Sequence, residues 1–268
     1  MIYAVVWLAS VVELVLLPLP VELDRLRVLL VDSRNPLNLG AAARAMSNFG
    51  ALRLRVVNPY DLAFREARSA VGATRLLADA EEFKSVAEAV ADCGLVVGTT
   101  AIRHRELQHP LRRLDEGASL IRQQLASSPV ALVFGSEKFG LSNDDLAHCH
   151  WLMHIPTREE HISMNLGQAV AVTLYELVRE AKVADAKVLD APDLSESANA
   201  GELERITTVL LEALTISGYV NPVTASTTED KARRMVRRMN LSARDAEVYL
   251  GMLRQVLWKL RLRENDPG

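Results

Sequence analysis

Apolar residues in this chain fall into short runs separated by stretches with helical spacing, and the two alternate from residue 27 to residue 183. Residues 27–31 are a compact apolar run closed by turn chemistry at Asn35-Pro36, which predicts a buried strand. Residues 39–49 have helical spacing. Residues 52–57 alternate around Arg53 and Arg55 and stop at Asn58-Pro59, a second strand. Helical spacing returns at 66–77 and 81–91, followed by a buried strand at 95–98 and a helix at 110–125. A strand at 130–134, a helical turn at 144–147, a strand at 151–155 ending at Pro156 and a long helix at 165–183 complete the series. Strands that alternate with helices predict an α/β fold with a mostly parallel sheet covered on both faces.

The pattern changes at both ends. Residues 184–200 turn small and polar, with Asp185, Asp190, Pro192, Asp193 and Ser195, and read as a linker. Beyond it, 201–217, 227–239 and 243–263 read as three helices, the last capped by Ser242, so residues 201–268 form a small all-α C-terminal extension. The first twenty residues are almost wholly apolar, yet they lack a basic leader, carry Glu13 and run only seventeen residues before Pro18. Three readings stand: a weak membrane anchor, a helix packed on the domain or a partner, and translation beginning near Val21. The third fits best, since the patterned domain of residues 21–183 opens immediately afterwards.

Composition adds two constraints. With 268 residues, 49% hydrophobic and 24% charged, the chain can bury one sizeable core and carry an appendage. Cys93 and Cys149 are too few for a disulfide framework and sit in apolar surroundings, which points to packing roles and a reducing cytoplasm, with no membrane partner expected. The net charge of −3 is unevenly spread. Residues 229–263 hold ten Lys/Arg against four acids, a balance of +6, leaving −9 for the rest. Such a segment suits a polyanion-binding appendage or a merely solvated helix face.

Candidate chemistry lies in three loops. Asn-Leu-Gly occurs at Asn38-Leu39-Gly40 and again at Asn165-Leu166-Gly167, each at the mouth of an alanine-rich helix, where free backbone N–H groups gather. Between them stands Gly135-Ser136-Glu137-Lys138-Phe139-Gly140-Leu141-Ser142. Gly135 and Gly140 have phosphate-loop spacing, but Leu141 replaces the lysine that would reach the terminal phosphates, and no dinucleotide fingerprint follows the first strand. With Glu137 inside, the loop suits a neutral or cationic ligand held by backbone groups, or it is a plain strand-to-helix turn. His148-Cys149-His150, with His154 nearby, lacks metal-site spacing and reads as a packed cysteine between two surface-leaning histidines, so no metal is expected. Ser163 near His161 has no nucleophile elbow around it.

The segment Asn35 through Met46, the segment Phe134 through Leu141, Ile155-Pro156 and the segment Ser163 through Val172 together resemble the three signature motifs of the SPOUT RNA methyltransferases, in their SpoU/TrmH branch. The match runs over residues 26–181, and the linker with its helical extension is similar in layout to the tRNA (cytidine/uridine-2′-O)-methyltransferases of that branch, which act on nucleotide 32. The resemblance implies a deep trefoil knot, a homodimer with a site shared across its interface, and S-adenosylmethionine as cofactor. It implies that Thr99, Thr100, Gly135, Glu137, Gly140, Ile155, Ser163 and Met164 cradle the cofactor.

The family's motif arginine corresponds to Arg44. A guanidinium that stays protonated up to pH ~12 is a poor base, so stabilising a developing alkoxide or pinning a phosphate suits it better. Asn38, Glu137, Ser163 and Asn165 are expected to orient Arg44, the ribose and the loops. The family's Gly-Thr-Ser/Thr-Ala run is followed by arginine, whereas Ile102 follows here, with Arg103 and Arg105 close behind. Arg103, Arg105, Arg53, Arg55 and the C-terminal Arg233, Arg234 and Arg237 are candidates to grip RNA phosphates alongside Arg44. Ribosomal RNA or another tRNA position as target, or a non-catalytic knotted RNA-binding protein, are the alternatives.

Overall fold

The computed structural model describes residues 23–59, 75–101, 108–179, 197–220 and 225–264. The readings of residues 1–20, most of the 66–77 helix, the linker up to 196, and Arg103 and Arg105 lie outside these residues. Seven strands form one sheet: β1 (Leu26–Val31), β2 (Leu54–Val57), β3 (Glu81–Phe83), β4 (Leu95–Thr99), β5 (Leu111–Arg113), β6 (Val130–Phe134) and β7 (Trp151–His154), in the order β3-β2-β1-β6-β4-β7-β5. Every pairing is parallel.

Helices cover both faces, which is why the central strands are apolar throughout rather than alternating. On one face pack α1 (Pro36–Phe49), α4 (Leu114–Leu125) and α6 (Leu166–Val178), against side chains such as Leu26, Leu30 and Leu132. The other face holds α3 (Val86–Ala89) and α5 (Asn143–Ala147), with Leu29, Val133 and Leu152 beneath them. Each such fully buried leucine contributes roughly 1.5–3 kcal/mol of transfer free energy. The remaining short helix is α2 (Arg75–Ala78).

Two predicted helices begin as strands. Residues 81–91 split into β3 and the four-residue α3, and 110–125 into β5 and α4. Both strands are sheet edges three residues long with mostly exposed side chains, so no apolar period marks them. Their pairing is set by partners remote in sequence: Arg55 lies opposite Glu81, and Leu152 N–H donates to the Pro110 carbonyl at 2.9 Å. Ser85 then caps α3 by accepting from Glu88 N–H.

The extension comprises α7 (Ala200–Ile216), α8 (Ala225–Arg238) and α9 (Ala243–Glu264), with a core of Leu203, Ile206, Val236, Ala246 and Leu250. It is docked on the sheet domain rather than free. Ala200 N–H donates to the Cys93 carbonyl at 2.9 Å and Gly201 N–H to the Ala91 carbonyl at 3.0 Å. Arg237, 1% exposed, donates from Nε to the His148 carbonyl at 2.9 Å and pairs through Nη2 with Glu204 at 3.3 Å. Arg233, also buried, bonds Glu204 and Glu229.

These contacts correct three sequence expectations. Arg233 and Arg237 are consumed inside the protein and offer nothing to a phosphate; of the three C-terminal candidates Arg234 alone retains partial exposure, bonded to Gln108 at 2.7 Å. Arg55 is likewise buried, forked onto Asp92 at 2.5 and 3.0 Å, whereas Arg53 is exposed. The histidines around Cys149 do not lean to the surface: His148 is buried, and His150 Nδ1 accepts from Val96 N–H at 3.1 Å. Burial and the Arg237 charge hold His148 neutral, its pKa lowered to about 3, while burial pushes the Cys149 thiol up to about 12.

Candidate functional site at the carboxyl ends of the strands

The strand order sets the site. The chain leaves β1 toward β2 and β3 on one side, and returns to build β4, β7 and β5 on the other, with β6 inserted between. Loops from neighbouring strands diverge at such a reversal and leave a crevice beyond their carboxyl ends. Here it is a cavity of about 1200 Å³, walled by the loops after β4, β6 and β7 and by the segment leading into α6. All eight residues expected at a cofactor line it: Thr99, Thr100, Gly135, Glu137, Gly140, Ile155, Ser163 and Met164. Phe134, Leu141, Met153, Ile162 and Leu166 supply apolar wall, and of these Met153 and Ile162 lie outside the motif segments marked in the sequence.

The loop after β6 doubles back tightly. Gly140 N–H donates to the Ser136 carbonyl at 2.8 Å, and Gly140 takes the left-handed conformation with φ 69°. A Cβ at Gly135 would lie 2.2 Å from the Gly140 carbonyl carbon, so glycine is the one residue that lets the backbone close there. Thr99 Oγ1 donates to the Val133 carbonyl at 3.0 Å, tying the β4 loop to the same strand.

The two Asn-Leu-Gly copies differ in role and touch each other. Asn165 is the N-cap of α6, its Oδ1 accepting from Gly167 N–H at 3.0 Å and Gln168 N–H at 3.4 Å. In α1 the cap is Asn35, followed by Pro36 at the first helical position, so Asn38 already lies within the first turn. Asn38 can therefore use its whole amide elsewhere. Its Oδ1 accepts from Asn165 Nδ2 at 2.8 Å, and its Nδ2 donates to Glu137 Oε1 at 3.0 Å. Ser33 Oγ donates to the same carboxylate oxygen at 3.0 Å.

Burial raises the Glu137 pKa, but the hydrogen bonds from Asn38, its own backbone and Ser33 outweigh it and hold the carboxyl below the usual glutamate range. Ser33 was legible only through the rule that sites form at strand carboxyl ends. It directly follows β1, with Asp32 between.

Behind this chain of bonds the helices cross closely. A Cβ at Gly167 would stand 2.6 Å from Ala41 Cβ, so Gly167 allows α6 to seat on α1. Arg44 is not part of the cluster. It is exposed on α1, six residues beyond Asn38 or about 9 Å along the axis, and does not line the cavity. Ser163 reaches the cavity wall without joining the Asn-Glu chain.

Among the described residues no group of three or more His, Cys, Asp or Glu is gathered as a metal ion would require, and no helix is long and apolar enough to cross a membrane.

Known proteins resemble this chain in sequence and in fold. The chain is 34% identical to the tRNA (cytidine/uridine-2′-O-)-methyltransferase TrmJ of Pectobacterium atrosepticum over 87% of its own length and 97% of that protein's. The TrmJ of Salmonella typhimurium is equally similar, over 87% and 97%. The crystal structure of TrmJ from Z. mobilis ZM4 superposes with a TM-score of 0.74 at 32% identity, covering 86% of this chain and 98% of that one. A probable methylase family protein from Haemophilus influenzae Rd KW20 matches at 28% identity with a TM-score of 0.53, covering 90% and 99%. The SpoU rRNA Methylase family model matches residues 25–175, from the start of β1 through most of α6, and so takes in every loop of the cavity. With the crevice, the paired asparagines and Glu137 all inside that span, the chain belongs to the SpoU methylase family.

Proposed function

We propose that this protein is an S-adenosylmethionine-dependent ribose 2′-O-methyltransferase of tRNA, acting on cytidine or uridine at nucleotide 32. The observation that carries the reading is the hydrogen-bonded chain Asn165–Asn38–Glu137–Ser33 at the mouth of the cavity, in a protein that shares most of its length with TrmJ enzymes.

The cavity fits the cofactor by its own chemistry. The close approach of Gly135 to the Gly140–Leu141 backbone shapes the loop that walls the cavity, and the Gly135–Gly140 loop and Thr99–Thr100 offer backbone groups to it. Ile155, Met164, Leu141 and Leu166 supply apolar wall for a flat heterocycle. When bound, S-adenosylmethionine supplies a methyl group already activated on a sulfonium. The protein's remaining task is to place a ribose hydroxyl and to accommodate the proton it loses. Asn38 and Asn165 are fixed by each other and by Glu137, so their amides hold position without reorganisation at the moment of reaction. Ser163 stands at the wall for the ribose or the cofactor. Arg44 stabilises the developing alkoxide or pins the adjacent phosphate.

The enzyme works as a cytoplasmic homodimer, the C-terminal part of its methyltransferase domain threading the knot common to its family. Support for the dimer comes from apolar side chains exposed on the two packed helices: Leu37, 80% exposed at the start of α1, and Val172 and Tyr175 farther along α6, where Tyr175 meets Phe49 of α1 with ring centroids 6.5 Å apart. Arg44, exposed and outside its own cavity, then serves a site shared with a partner. Of the arginines expected at RNA phosphates, Arg44 and Arg53 are exposed and Arg234 partly exposed among the described residues.

Ribose-methylation mapping of tRNA and ribosomal RNA from a deletion strain tests the assignment. Loss of the methyl at tRNA nucleotide 32 is expected; an intact methyl there, with loss in ribosomal RNA, assigns the activity to a different substrate. For the mechanism, Arg44→Ala is expected to lower turnover far more than cofactor affinity, by kinetics and calorimetric titration. A comparable loss of cofactor binding overturns its role.

A further inference from the structure

The turn that carries Glu137 also holds out an aromatic ring. Phe139 is 73% exposed, although an exposed phenylalanine leaves a large apolar area in water. It is held in place nonetheless. Phe139 N–H donates to Ser136 Oγ at 3.3 Å, Ser136 and Gly140 form an antiparallel bridge, and Gly140 fixes the exit through its left-handed φ. The ring lines the large cavity and also a second, smaller one of about 210 Å³, walled by Asp32, Arg34, Ser142 and Asp145 on the other side of the turn. Lys138 lies over the ring, its Nζ 5.0 Å from the centroid, and Arg34 is exposed nearby in the second cleft. Phe139 thus borders both clefts, has Lys138 over its ring and Arg34 in the smaller cleft, and stands two residues from the glutamate that Asn38 and Ser33 hold.

We infer that Phe139 is a stacking platform for an unpaired nucleobase of the RNA, with Lys138 and Arg34 meeting the flanking phosphates. Single-stranded bases are recognised by stacking on exposed aromatic side chains flanked by basic ones, because every base has a π-face and every linkage a charge. A nucleotide whose ribose is to be methylated in the large cavity must be out of its helix, and the smaller cleft gives its base, or its neighbour's, a place beside the ring. The rigid turn means that little conformational freedom is lost when the base arrives. This inference rests on the proposed methyltransferase activity and adds to it the residue that selects a looped-out nucleotide.

The test compares wild type with Phe139→Ala, Phe139→Leu and Phe139→Tyr on an anticodon stem-loop RNA. Each protein is also titrated with S-adenosylhomocysteine and melted thermally. Expected for Phe139→Ala is a rise in KM for RNA of roughly ten- to a hundredfold with kcat changed far less. Cofactor-product affinity and melting temperature should stay at the wild-type values, and 2-aminopurine placed next to the target nucleotide should lose the quenching seen with wild type. Phe139→Tyr restores both readouts and Phe139→Leu restores neither. Restoration by leucine means that bulk, not stacking, is at work, and a parallel loss of S-adenosylhomocysteine binding means that the ring belongs to the cofactor wall; either result overturns the inference. Absence of RNA methylation by wild type overturns the proposed function instead, so the two failures are told apart.

Discussion

Asn165 Nδ2 donates to Asn38 Oδ1 at 2.8 Å, joining residues 127 positions apart at the point where α6 seats on α1. The bond uses the one part of the Asn165 amide that the helix cap leaves over. The same side chain therefore starts a helix and fixes the head of another, and through Asn38 it fixes Glu137.

Asn165→Ala removes both functions at once. The lost cap costs about 1 kcal/mol, and the freed Asn38 amide no longer presents one geometry. Urea unfolding should show a loss of roughly 1 to 2 kcal/mol, and methyl transfer should fall by up to roughly a hundredfold, since small misplacements are costly at a reacting centre. Unchanged turnover in a measurably destabilised variant would show that Asn165 is a cap and no more.

Gly135→Ala places a methyl group 2.2 Å from backbone atoms that cannot swing aside. The Gly135–Gly140 loop must open, and the cavity it walls must change shape. Titration with S-adenosylhomocysteine should show no measurable binding, while circular dichroism retains the helical content of the wild type. Wild-type affinity in this variant sinks the placement of the cofactor against that loop.

Glu204→Gln and Arg237→Met probe the clasp between the extension and the sheet domain. Burial lowers the Arg237 pKa while Glu204 supports its charge; Glu204 itself is raised by burial but held down more strongly by Arg233 and Arg237. Removing the Glu204 charge leaves a buried guanidinium without its counter-ion, a loss of about 3 kcal/mol. Arg237→Met removes the charge and keeps the volume, and Arg237 Nη1 has no hydrogen-bond partner to lose. Chemical unfolding should therefore find Glu204→Gln much the less stable of the two; the reverse order would mean that Glu204 is not what holds the guanidinium.

Acid should loosen the same junction through His148. Its folded pKa, about 3, lies below the ordinary value of 6.5, mainly from burial and then from Arg237. Between those values the unfolded chain binds the proton that the folded one refuses, so stability is full above pH 6.5 and declines as pH falls toward 3. The slope is about 1.4 kcal/mol per pH unit for one such group. His109, lowered to about 4, acts in the same direction. Melting temperatures from pH 7 to pH 4 should fall for wild type and fall less steeply for His148→Gln; parallel curves for the two would remove His148 from the account.

Glu137 titrates at the opposite end of the site with a different signature. Its folded pKa is lowered from 4.5, so the stability it contributes is present above that value and lost as pH falls through the lower folded one. Glu137→Gln should therefore melt at a lower temperature than wild type near neutrality, and the two curves should converge as pH falls through the folded value. An unchanged melting temperature at pH 7 would mean that the charge adds nothing to the hold on Asn38 and Ser33.

The apolar runs at 27–31 and 130–134 announced central strands because a strand buried on both faces needs apolar residues at every position, a demand written locally. Ser242 announced a helix start for the same reason: a cap acts on N–H groups two or three residues away. The loops that line the cavity were legible as motifs, since each carries its own turn chemistry and glycines. The edge strands β3 and β5 were not, because exposed three-residue segments take their conformation from hydrogen bonds to strands far along the chain.

Charge was the least legible of all. Arg55, Arg233 and Arg237 look in sequence like the exposed Arg53 and Arg44, and only folding shows that Asp92 and Glu204 wait for them in the interior. Sequence alone determined the central strands, the long helices and which loops carry chemistry, because those depend on neighbours within a few residues. Tertiary structure alone decided that the two Asn-Leu-Gly copies meet, that Glu137 is held by both Asn38 and Ser33, and which arginines face water. Such contacts join residues a hundred positions apart, and no local pattern encodes the distance between them.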